Sequence, residues 1–588
     1  MEFIAHNLAP IMFAGLICFL LVGFPVAFSL GACGLFFAFI GIEMNVLPEA
    51  LLQALPLRIY GIMQNDTLLA IPFFTLMGLI LERSGMAEDL LDTIGQLFGP
   101  IRGGLALAVI FVGALLAATT GVVAASVISM GLISLPIMLR YGYDRRLAAG
   151  VIAASGTLAQ IIPPSLVLII IADQLGRSVG DMYKGAFLPG LMLTGFYASY
   201  VILLAVIKPQ WVPALPPEAR TLREDNGKSG VPSLLVLTAI CTAASIYVAK
   251  NMPALHTWWS GEAVDKVALD ETIVVSMCFG VALAFVAASF NKITRLGLLS
   301  RAAERVTFAL IPPLLLIFLV LGTIFLGVAT PTEGGAMGAL GAIIMAVIRG
   351  RLSMSLLKQA LNTTTKLSCF VVFILVGATI FGLTFQGVDG PLWVEHLLSG
   401  LPGGQLGFLI VVNIMVFFLA FFLDFFELSF IVVPLLAPVA DKLGIDLIWF
   451  GVLLAINMQT SFMHPPFGFA LFYLRSVAPA KEYMDKVTKK MIAPVTTTQI
   501  YWGAIPFLCI QILMVVLVIT FPGIVSSGLD KAEVYDLDKV RLEMEANVPA
   551  PMEQVDPTAG MPGSEAPAED DPLKAMQESL SQDAEKKN

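Results

Sequence analysis

The sequence predicts an all-α polytopic membrane protein made of two inverted halves, each with a re-entrant hairpin and a helix interrupted by Pro-Pro. Three observations carry this prediction. Of the 588 residues, 57% are hydrophobic and only 13% are charged, whereas about a quarter of the residues in a soluble domain are charged. Apolar segments of about 20 residues, the length of a transmembrane helix, recur along the chain. Helix-breaking residues also recur in one pattern, first from Pro136 and again from Pro438, 302 positions later.

The apolar segments occupy most of the chain before residue 526. They lie at about 8–41, 66–82, 104–139, 147–173, 185–207, 232–249, 272–290, 306–328, 331–348, 367–385, 406–440, 447–474 and 499–522. The first ten residues lack the basic region and cleavage site of a removable signal peptide, so we expect the first segment to remain as an anchor.

The net charge of −9 belongs to the last part of the chain. Residues 526–588 contain 15 Asp and Glu against 6 Lys and Arg, and the 28 acidic and 28 basic residues before them cancel. Because this part is also rich in Pro and Ala, it is predicted to be a disordered acidic tail. A helical docking segment around Ala532–Ala546 is the alternative.

The segment Pro136–Pro164 has the same backbone plan as Pro438–Pro466, without a gap. Five of the six identical positions are residues that break or cap helices. The identical residues are Pro136, Gly142, Asp144, Ala153, Pro163 and Pro164, which correspond to Pro438, Gly444, Asp446, Ala455, Pro465 and Pro466.

Each half thus places a Pro-Pro pair inside an apolar helical segment. Proline has no amide hydrogen, so a helix that reached the prolines would leave carbonyls of the preceding turn without partners. These carbonyls belong to Ala159, Gln160, Ser461 and Phe462. Paired interruptions of this kind indicate the binding site of a transporter, with Na+ as a natural partner of the carbonyls. Two Pro-kinked helices that are satisfied by their neighbours are the alternative.

Basic residues orient the two halves. Arg140, Arg145 and Arg146 surround the turn after the first long segment, whereas the matching turn of the second half has one lysine and two aspartates. The positive-inside rule places the first turn in the cytoplasm and the second on the opposite side. Further clusters predicted to be cytoplasmic are Arg220–Lys228, Lys292–Arg305, Arg349–Lys358 and Lys481–Lys490.

The long segments at about 104–139 and 406–440 predict the re-entrant hairpins. At the first tip, hydroxyls and a flexible glycine can present oxygens and amides to an ion or anion. The candidates there are Thr119, Thr120, Gly121 and Ser126. At the second tip, Asp424 and Glu427 share one helix face, and carboxylates this deep are usually functional. A carboxylate that only caps a helix N-terminus is the alternative.

Polar residues precede both Pro-Pro pairs, and their oxygens suit hard cations. The candidates are Ser155, Gly156, Thr157 and Gln160 in the first half and Asn457, Gln459, Thr460 and Ser461 in the second, together with the four prolines. Hydrogen bonds between helices are the alternative. His464 is predicted to be a packed hydrogen bonder, and Thr330–Glu333 is predicted to be an N-terminal cap.

No motif of an enzyme or of an ATP-driven protein is recognisable. Gly227–Ser229 resembles the end of a phosphate loop, but Leu222 stands where the earlier glycine is required. No zinc-protease motif, nucleophile elbow or heme spacing occurs. We expect no enzymatic activity, no cofactor and no nucleic-acid partner, and transport driven by an ion gradient.

From about residue 8 to 522, apart from an insertion, the chain resembles the large membrane subunit of tripartite ATP-independent periplasmic (TRAP) transporters. The residues that carry this resemblance are Gly23–Ala27, Gly131–Pro136, Gly142–Asp144, Ile161–Ser165, Ala329–Glu333, Asp424, Gly444–Asp446, Phe450–Gly451 and Pro465–Gly468. The resemblance implies a first inverted repeat at 1–225, an inserted helix pair at 226–305, and a second inverted repeat at 306–525.

The resemblance further implies an elevator transporter in the bacterial cytoplasmic membrane. Its hairpin tips and Pro-Pro helices would bind Na+ and an organic anion, usually a carboxylate. A small four-helix membrane subunit, expected as a separate chain, and a periplasmic substrate-binding protein would complete the system. A stand-alone secondary transporter of the same superfamily is the alternative, and a membrane-embedded enzyme is a further one.

Two departures from the family pattern bear on the site. The first hairpin reads Thr120-Gly121-Val122-Val123, where the family commonly has Ser-Gly-Ser-Ser, and two hydroxyls are therefore lost. The family's Thr-Pro-Pro is His464-Pro465-Pro466. These variations resemble the mannitol or chloroaromatic subgroup and imply a 2-oxo or 2-hydroxy monocarboxylate as substrate.

Overall fold

A computed structural model describes Phe3 and residues 7–529 of the chain. Within this range the residues not described are 122, 223, 225–229, 262–266, 268, 422 and 486. The predicted acidic tail lies outside the described residues from Asp530 onward. Nine described helices are long and apolar enough to cross a membrane, or up to eleven if each of two bent pairs forms one span. The predicted all-α polytopic membrane fold is confirmed.

The helices divide into two sets separated by three extra helices. The first set is α1 Leu8–Leu21, α2 Val26–Glu43, α3 Leu55–Met63, α4 Ala70–Arg83, α5 Met86–Phe98, α6 Gly104–Thr120, α7 Val123–Arg140, α8 Arg145–Thr157, α9 Leu166–Leu175 and α10 Val179–Ile207. The extra helices are α11 Val231–Lys250, α12 Met252–Ser260 and α13 Leu269–Thr294. The second set is α14 Arg301–Ile317, α15 Thr323–Phe325, α16 Pro331–Ile348, α17 Met354–Gly387, α18 Gly390–Ser399, α19 Gly404–Leu419, α20 Phe425–Lys442, α21 Leu447–Met463, α22 Phe469–Val477, the strands β1 Tyr483–Met484 and β2 Met491–Ile492, α23 Thr497–Thr520 and α24 Gly523–Ser526.

The offset of 302 positions extends beyond the two compared segments. Subtracting 302 from the bounds of α20 gives 123–140, which are the bounds of α7. The same subtraction gives 167–175 for α22, which overlaps α9, and 29–46 for α16, which overlaps α2. The two halves therefore share one helix plan from α2 to α9.

Both predicted hairpins enter and leave at one face. The backbone amide of Leu105, at the start of α6, donates to the hydroxyl of Tyr143, just beyond α7, at 3.2 Å. In the second half, Nε2 of Gln405 at the start of α19 donates to the carbonyl of Leu443, just beyond α20, at 2.7 Å. We call α6 and α7 hairpin 1, and α19 and α20 hairpin 2; both are re-entrant, as predicted.

The two halves are inverted, as contacts at the ends of the interrupted helices show. We call α8 and α9 broken helix 1, and α21 and α22 broken helix 2. After broken helix 1, the guanidinium of Arg177 lies 3.8 Å from the carboxylate of Asp441 at the base of hairpin 2. After broken helix 2, Asp485 binds Arg140 at the base of hairpin 1, at 2.9 Å. Each broken helix therefore runs from the base of its own hairpin to the base of the other.

The same face that holds the base of hairpin 1 also holds Arg305 and Arg349, which belong to the predicted clusters Lys292–Arg305 and Arg349–Lys358. Both arginines form ion pairs with α5: Asp92 binds Arg305 at 2.7 Å, and Asp89 binds Arg349 at 3.3 Å. Asp92 and Arg140 also line one cavity. By the positive-inside rule this face is cytoplasmic.

Glycines allow helices from the two halves to approach closely. Helix α2 packs along α17, where a Cβ atom on Gly34 would lie 2.9 Å from the backbone of Phe381. Helix α7 of hairpin 1 packs against α22, and by the same symmetry α20 of hairpin 2 packs against α9. Each hairpin is thus held by the second half of the other broken helix, and both hairpin tips lie at the middle of the bundle.

Candidate functional site

The two broken helices touch at positions related by the 302 offset. Nε2 of Gln459 donates to Oγ1 of Thr157 at 3.1 Å, and both side chains are fully buried. Because the residues are equivalent, the pseudo-twofold axis that relates the halves passes between them. The two polar runs predicted from the sequence therefore meet at one point.

Two further polar side chains complete this contact. Nε2 of Gln511, on α23, lies 3.4 Å from Oγ1 of Thr157 and donates to the hydroxyl of Tyr197 at 2.9 Å. The Thr157 hydroxyl itself donates to the carbonyl of Ala154 at 2.8 Å. Sequence reasoning missed Gln511 and Tyr197 because neither lies in the repeated segments. A glutamine in the middle of an otherwise apolar helix was the available signal.

Several buried side-chain oxygens on the broken helices and α23 have no hydrogen-bond partner among the described residues. They are Oγ of Ser155 and the Oε1 atoms of Gln160, Gln459 and Gln511. A buried oxygen without a donor costs about 1–3 kcal/mol. Hydroxyl and amide oxygens are also the ligands that hard cations prefer, so this donor set fits Na+.

The helix ends at the hairpin tips and breaks carry partial charges of their own. The helices α7, α9, α20 and α22 begin at the tips and breaks, and α6, α8, α19 and α21 end there. Helix N-termini carry partial positive charge and free amides that favour an anion, whereas C-termini offer carbonyls to a cation. The arrangement can therefore bind an anion and a cation near each other.

The first break is buried on all sides. Pro163 and Pro164 are both buried, and the carbonyl of Gln160 accepts a hydrogen bond from Oγ of Ser165 at 2.6 Å. One carbonyl that was expected to be exposed therefore has a local partner. The tip of hairpin 1 lies against this break, since a Cβ atom on Gly121 would be 3.7 Å from the Pro164 carbonyl.

Hairpin 1 also lies close to broken helix 1 before the break. A Cβ atom on Gly156 would lie 2.3 Å from Cγ2 and 3.1 Å from the backbone nitrogen of Val127. The absence of a side chain at Gly156 is therefore what admits α7. Ser126 is buried beside it. Thr119 and Thr120 end α6, but their side chains lie outside the described part of the chain.

The second break is half open. Pro465 is partly buried and Pro466 is exposed. The ring of Phe421, at the tip of hairpin 2, stacks on the His464 imidazole at 4.3 Å between centroids and on Phe467 at 6.0 Å. The predicted packing of His464 is confirmed. The predicted hydrogen bond is not found at its Nδ1 atom, which has no partner among the described residues.

The polar run before the second break bonds mostly to its own helix and to α19. Oγ1 of Thr460 and Oγ of Ser461 donate to the carbonyls three residues earlier, each at 2.6 Å. Nδ2 of Asn457 donates to the carbonyl and side-chain oxygens of Asn413 at 2.8 and 3.0 Å. Hydrogen bonding between helices, the alternative raised by the sequence, describes Asn457.

Asp424 and Glu427 form a capping box at the start of α20. The Asp424 carboxylate accepts from the backbone amide of Glu427 at 3.0 Å, and the Glu427 carboxylate accepts from the amide of Asp424 at 2.9 Å. The capping alternative thus describes their contacts, while an ion-binding role stays a prediction. The cap predicted at Thr330 and Glu333 is confirmed as a capping box of the same kind.

The chain is similar in sequence to a known family and to several of its members. The family model described as the DctM component of the tripartite ATP-independent periplasmic transporter matches residues 13–264 and 266–524. The C4-dicarboxylate TRAP transporter large permease protein DctM of Rhodobacter capsulatus is 27% identical over 481 residues, covering 79% of this chain and 89% of the relative.

Two further matches are a relative that is longer than the part matched here and a solved structure with lower sequence identity. The isethionate TRAP transporter permease protein DctMQ of Oleidesulfovibrio alaskensis is 26% identical over 486 residues, covering 82% of this chain and 63% of the relative. The crystal structure of the Alcanivorax borkumensis YdaH transporter aligns with a TM-score of 0.46 at 13% identity, over 80% of this chain and 89% of that chain.

The family model covers almost all of the described chain, and the matched relatives are named as transporter permeases. The chain therefore belongs to the DctM family of TRAP transporter large permeases, multi-pass proteins of the bacterial inner membrane that transport solutes and are not enzymes.

Proposed function

We propose that this chain uses an inward Na+ gradient to import a small organic anion. The observation that carries the proposal is the contact between Thr157 and Gln459 on the pseudo-twofold axis, with partnerless buried oxygens on the same helices. Those oxygens are suitable Na+ ligands. The convergent helix N-termini supply the positive potential that an anion needs.

The substrate class is supported by the relatives, and the position of its carboxylate by the charges at the hairpin tips. The two relatives described above are named for a C4-dicarboxylate and for isethionate, both small anions. For this chain we propose a monocarboxylate with a 2-oxo or 2-hydroxy group. The Asp424 and Glu427 carboxylates at hairpin 2 would repel an anion, so we place the substrate carboxylate nearer the first break and hairpin 1.

We propose an elevator movement in which the hairpins and broken helices move against the scaffold of α1–α4 and α14–α17. A polar contact crosses between these two parts at the non-cytoplasmic side. Nδ2 of Asn65, before α4, donates to the Asp173 carboxylate at the end of α9, at 2.7 Å. Such a movement must exchange this bond for another.

The proposed partners are a periplasmic binding protein that delivers the substrate and a small four-helix membrane subunit in a separate chain. The DctMQ relative is longer than the part matched here, since the match covers 63% of it. The substrate would be selected mainly by the binding protein. A stand-alone secondary transporter is the competing proposal.

The decisive experiment uses proteoliposomes that contain this chain and its small membrane subunit. We expect substrate to accumulate only with an inward Na+ gradient and the cognate binding protein outside. Uptake that proceeds without the binding protein would support the stand-alone transporter instead. Uptake that follows a proton or K+ gradient, but not Na+, would refute the coupling ion.

A further inference from the structure

We propose that a basic cavity at the cytoplasmic end of α13 and α14 binds the headgroup of an anionic phospholipid from the inner leaflet. The residues that line this cavity lie on α5, at the end of α13, on α14 and at Arg349, and none of them belongs to a hairpin or a broken helix. This site does not depend on the proposed substrate or coupling ion.

The cavity has a volume of about 430 Å³ and is lined by more cations than carboxylates. The cationic side chains are those of Lys292, Arg301, Arg305 and Arg349, and the carboxylates are those of Asp89 and Glu304. A guanidinium group has five N–H donors, so an arginine that binds one carboxylate can still donate to a phosphate.

Arg305 pairs with Asp92 at 2.7 Å, whereas the contacts of Arg349 and Lys292 leave part of their charge available. Arg349 shares the Asp89 carboxylate with a second arginine, Arg351. The Nζ atom of Lys292 lies over the ring of Phe308, 4.7 Å from its centroid. A cation held over an aromatic ring keeps its charge available to a second, anionic partner.

An apolar groove lies on another face of α14. It lies between α11, α13 and α14, with a volume of about 410 Å³. Different faces of α14 line the two spaces: Arg305 and Phe308 face the basic cavity, whereas Val306, Leu310 and Leu314 face the groove. Helix α14 therefore lies between the two spaces, and the groove gives this part of the chain an apolar surface close to the basic cavity.

The surroundings match a lipid better than a soluble anion. In α11 and α13, 17% of the residues in the apolar stretch are buried, so most of these apolar residues lie at the surface of the chain, as expected for helices that face lipid. The cavity opens on the cytoplasmic face, where anionic lipids accumulate and where basic pockets between helices bind their headgroups.

The test compares lipid retention by the full chain in native mass spectrometry, after exchange into micelles with equal amounts of phosphatidylglycerol and phosphatidylcholine. We expect phosphatidylglycerol to be retained about tenfold more, and the double variant Lys292→Gln/Arg301→Gln to lose this preference. The control variant Lys358→Gln/Lys490→Gln removes two exposed charges from the same face and should keep it.

Three outcomes would overturn the proposal: equal retention of the two lipids by the wild type, an unchanged preference in the double variant, or an equal loss in the control. Inorganic phosphate tests for a free anion site: phosphate that displaces the lipid at millimolar concentration would show that the cavity binds a free anion, which would also overturn the proposal. If the double variant aggregates, Lys292→Gln alone is used, and it should lower the preference severalfold.

Discussion

The two Pro-Pro breaks share a backbone plan but differ in burial and chemistry. At the first break, Gln160 and Ser165 bond to each other and are fully buried. Their equivalents 302 positions later are Phe462 and Phe467, and the Phe467 side chain is 45% exposed. The first break thus holds polar atoms away from water, while the second presents aromatic rings at an open edge.

The two halves thus share the positions at which their helices break, but the side chains at each break have a different chemistry. The hairpin tips differ in the same sense, since Asp424 caps hairpin 2 where position 122 of hairpin 1 is a valine. We infer that the first break holds the oxygens that would bind the ion in fixed positions, and that the second break is the one open to solvent. The predictions below test this difference.

The largest effect is expected from a side chain at Gly156. Gly156→Leu would force a Cβ atom into Val127, including its backbone, and overpacking of this kind costs about 1–3 kcal/mol or more. The equivalent residue is Met458, and Met458→Leu conserves volume, so we expect a loss below about 1.5 kcal/mol. Thermal unfolding in detergent measures both variants, and equal destabilisation would contradict a tighter first break.

Removing the hydroxyl on the pseudo-twofold axis should impair Na+ use. Thr157→Val leaves the amides of Gln459 and Gln511 without this acceptor, at a cost of about 1–3 kcal/mol. We expect the Na+ concentration for half-maximal uptake to rise about tenfold.

The control for this prediction is Ser134→Ala, which removes a buried hydroxyl of hairpin 1 away from the breaks. The variants Ser155→Ala, Gln459→Ala and Thr460→Ala should also raise the Na+ requirement. An unchanged Na+ dependence in Thr157→Val and in these three variants would refute the placement of the ion.

Accessibility to a thiol reagent tests the two breaks directly. Ile162 is 7% exposed and its equivalent, His464, is partly exposed. In a chain whose six native cysteines are replaced, His464→Cys should react with a maleimide roughly tenfold faster than Ile162→Cys, because a buried group reacts only through local opening. Equal rates would show that both breaks open alike.

The tip of hairpin 2 is expected to depend on its cap more than on its charge. Asp424→Ala should lower the unfolding free energy by about 1 kcal/mol, because the amide of Glu427 loses its acceptor. Asp424→Asn keeps a capping oxygen and should stay within about 0.5 kcal/mol of the wild type. If Asn is as harmful as Ala, the carboxylate charge itself is required.

The smallest effect concerns pH and the loop that follows the second break. Burial by itself would raise the pKa of Asp485, but hydrogen bonds from Thr488 and Arg140, together with the Arg140 charge, lower it to about 2. This value is below the ordinary value of about 3.9. The contacts of the ionised form are therefore complete above about pH 4 and are lost only as the pH falls toward 2.

The rate of tryptic cleavage within Lys481–Lys490 should accordingly stay constant between pH 6 and 9, once the activity of trypsin itself is normalised on a peptide. Asp485→Asn should raise the cleavage rate about tenfold, since a charge-assisted hydrogen bond is lost. A cleavage rate in the wild type that changes through this range would show that another group controls the loop.

The sequence alone determined the membrane fold, the hairpins, the breaks and several caps, because each depends on residues close together in the chain. Hydropathy located the helices, and the missing proline amide located the breaks at Pro163–Pro164 and Pro465–Pro466. Asp144 and Asp446 illustrate the local caps, as each accepts backbone amides within the three residues that follow it.

Only the tertiary structure decided which polar residues meet and which are open to solvent. Thr157 and Gln459 are 302 residues apart, and Gln511 lies outside the two segments, 136–164 and 438–466, whose sequences match. No local pattern encodes their contact, because it depends on how the broken helices cross and on where α10 and α23 pack. The burial of the first break and the exposure of the second likewise follow from the neighbours that each half acquires.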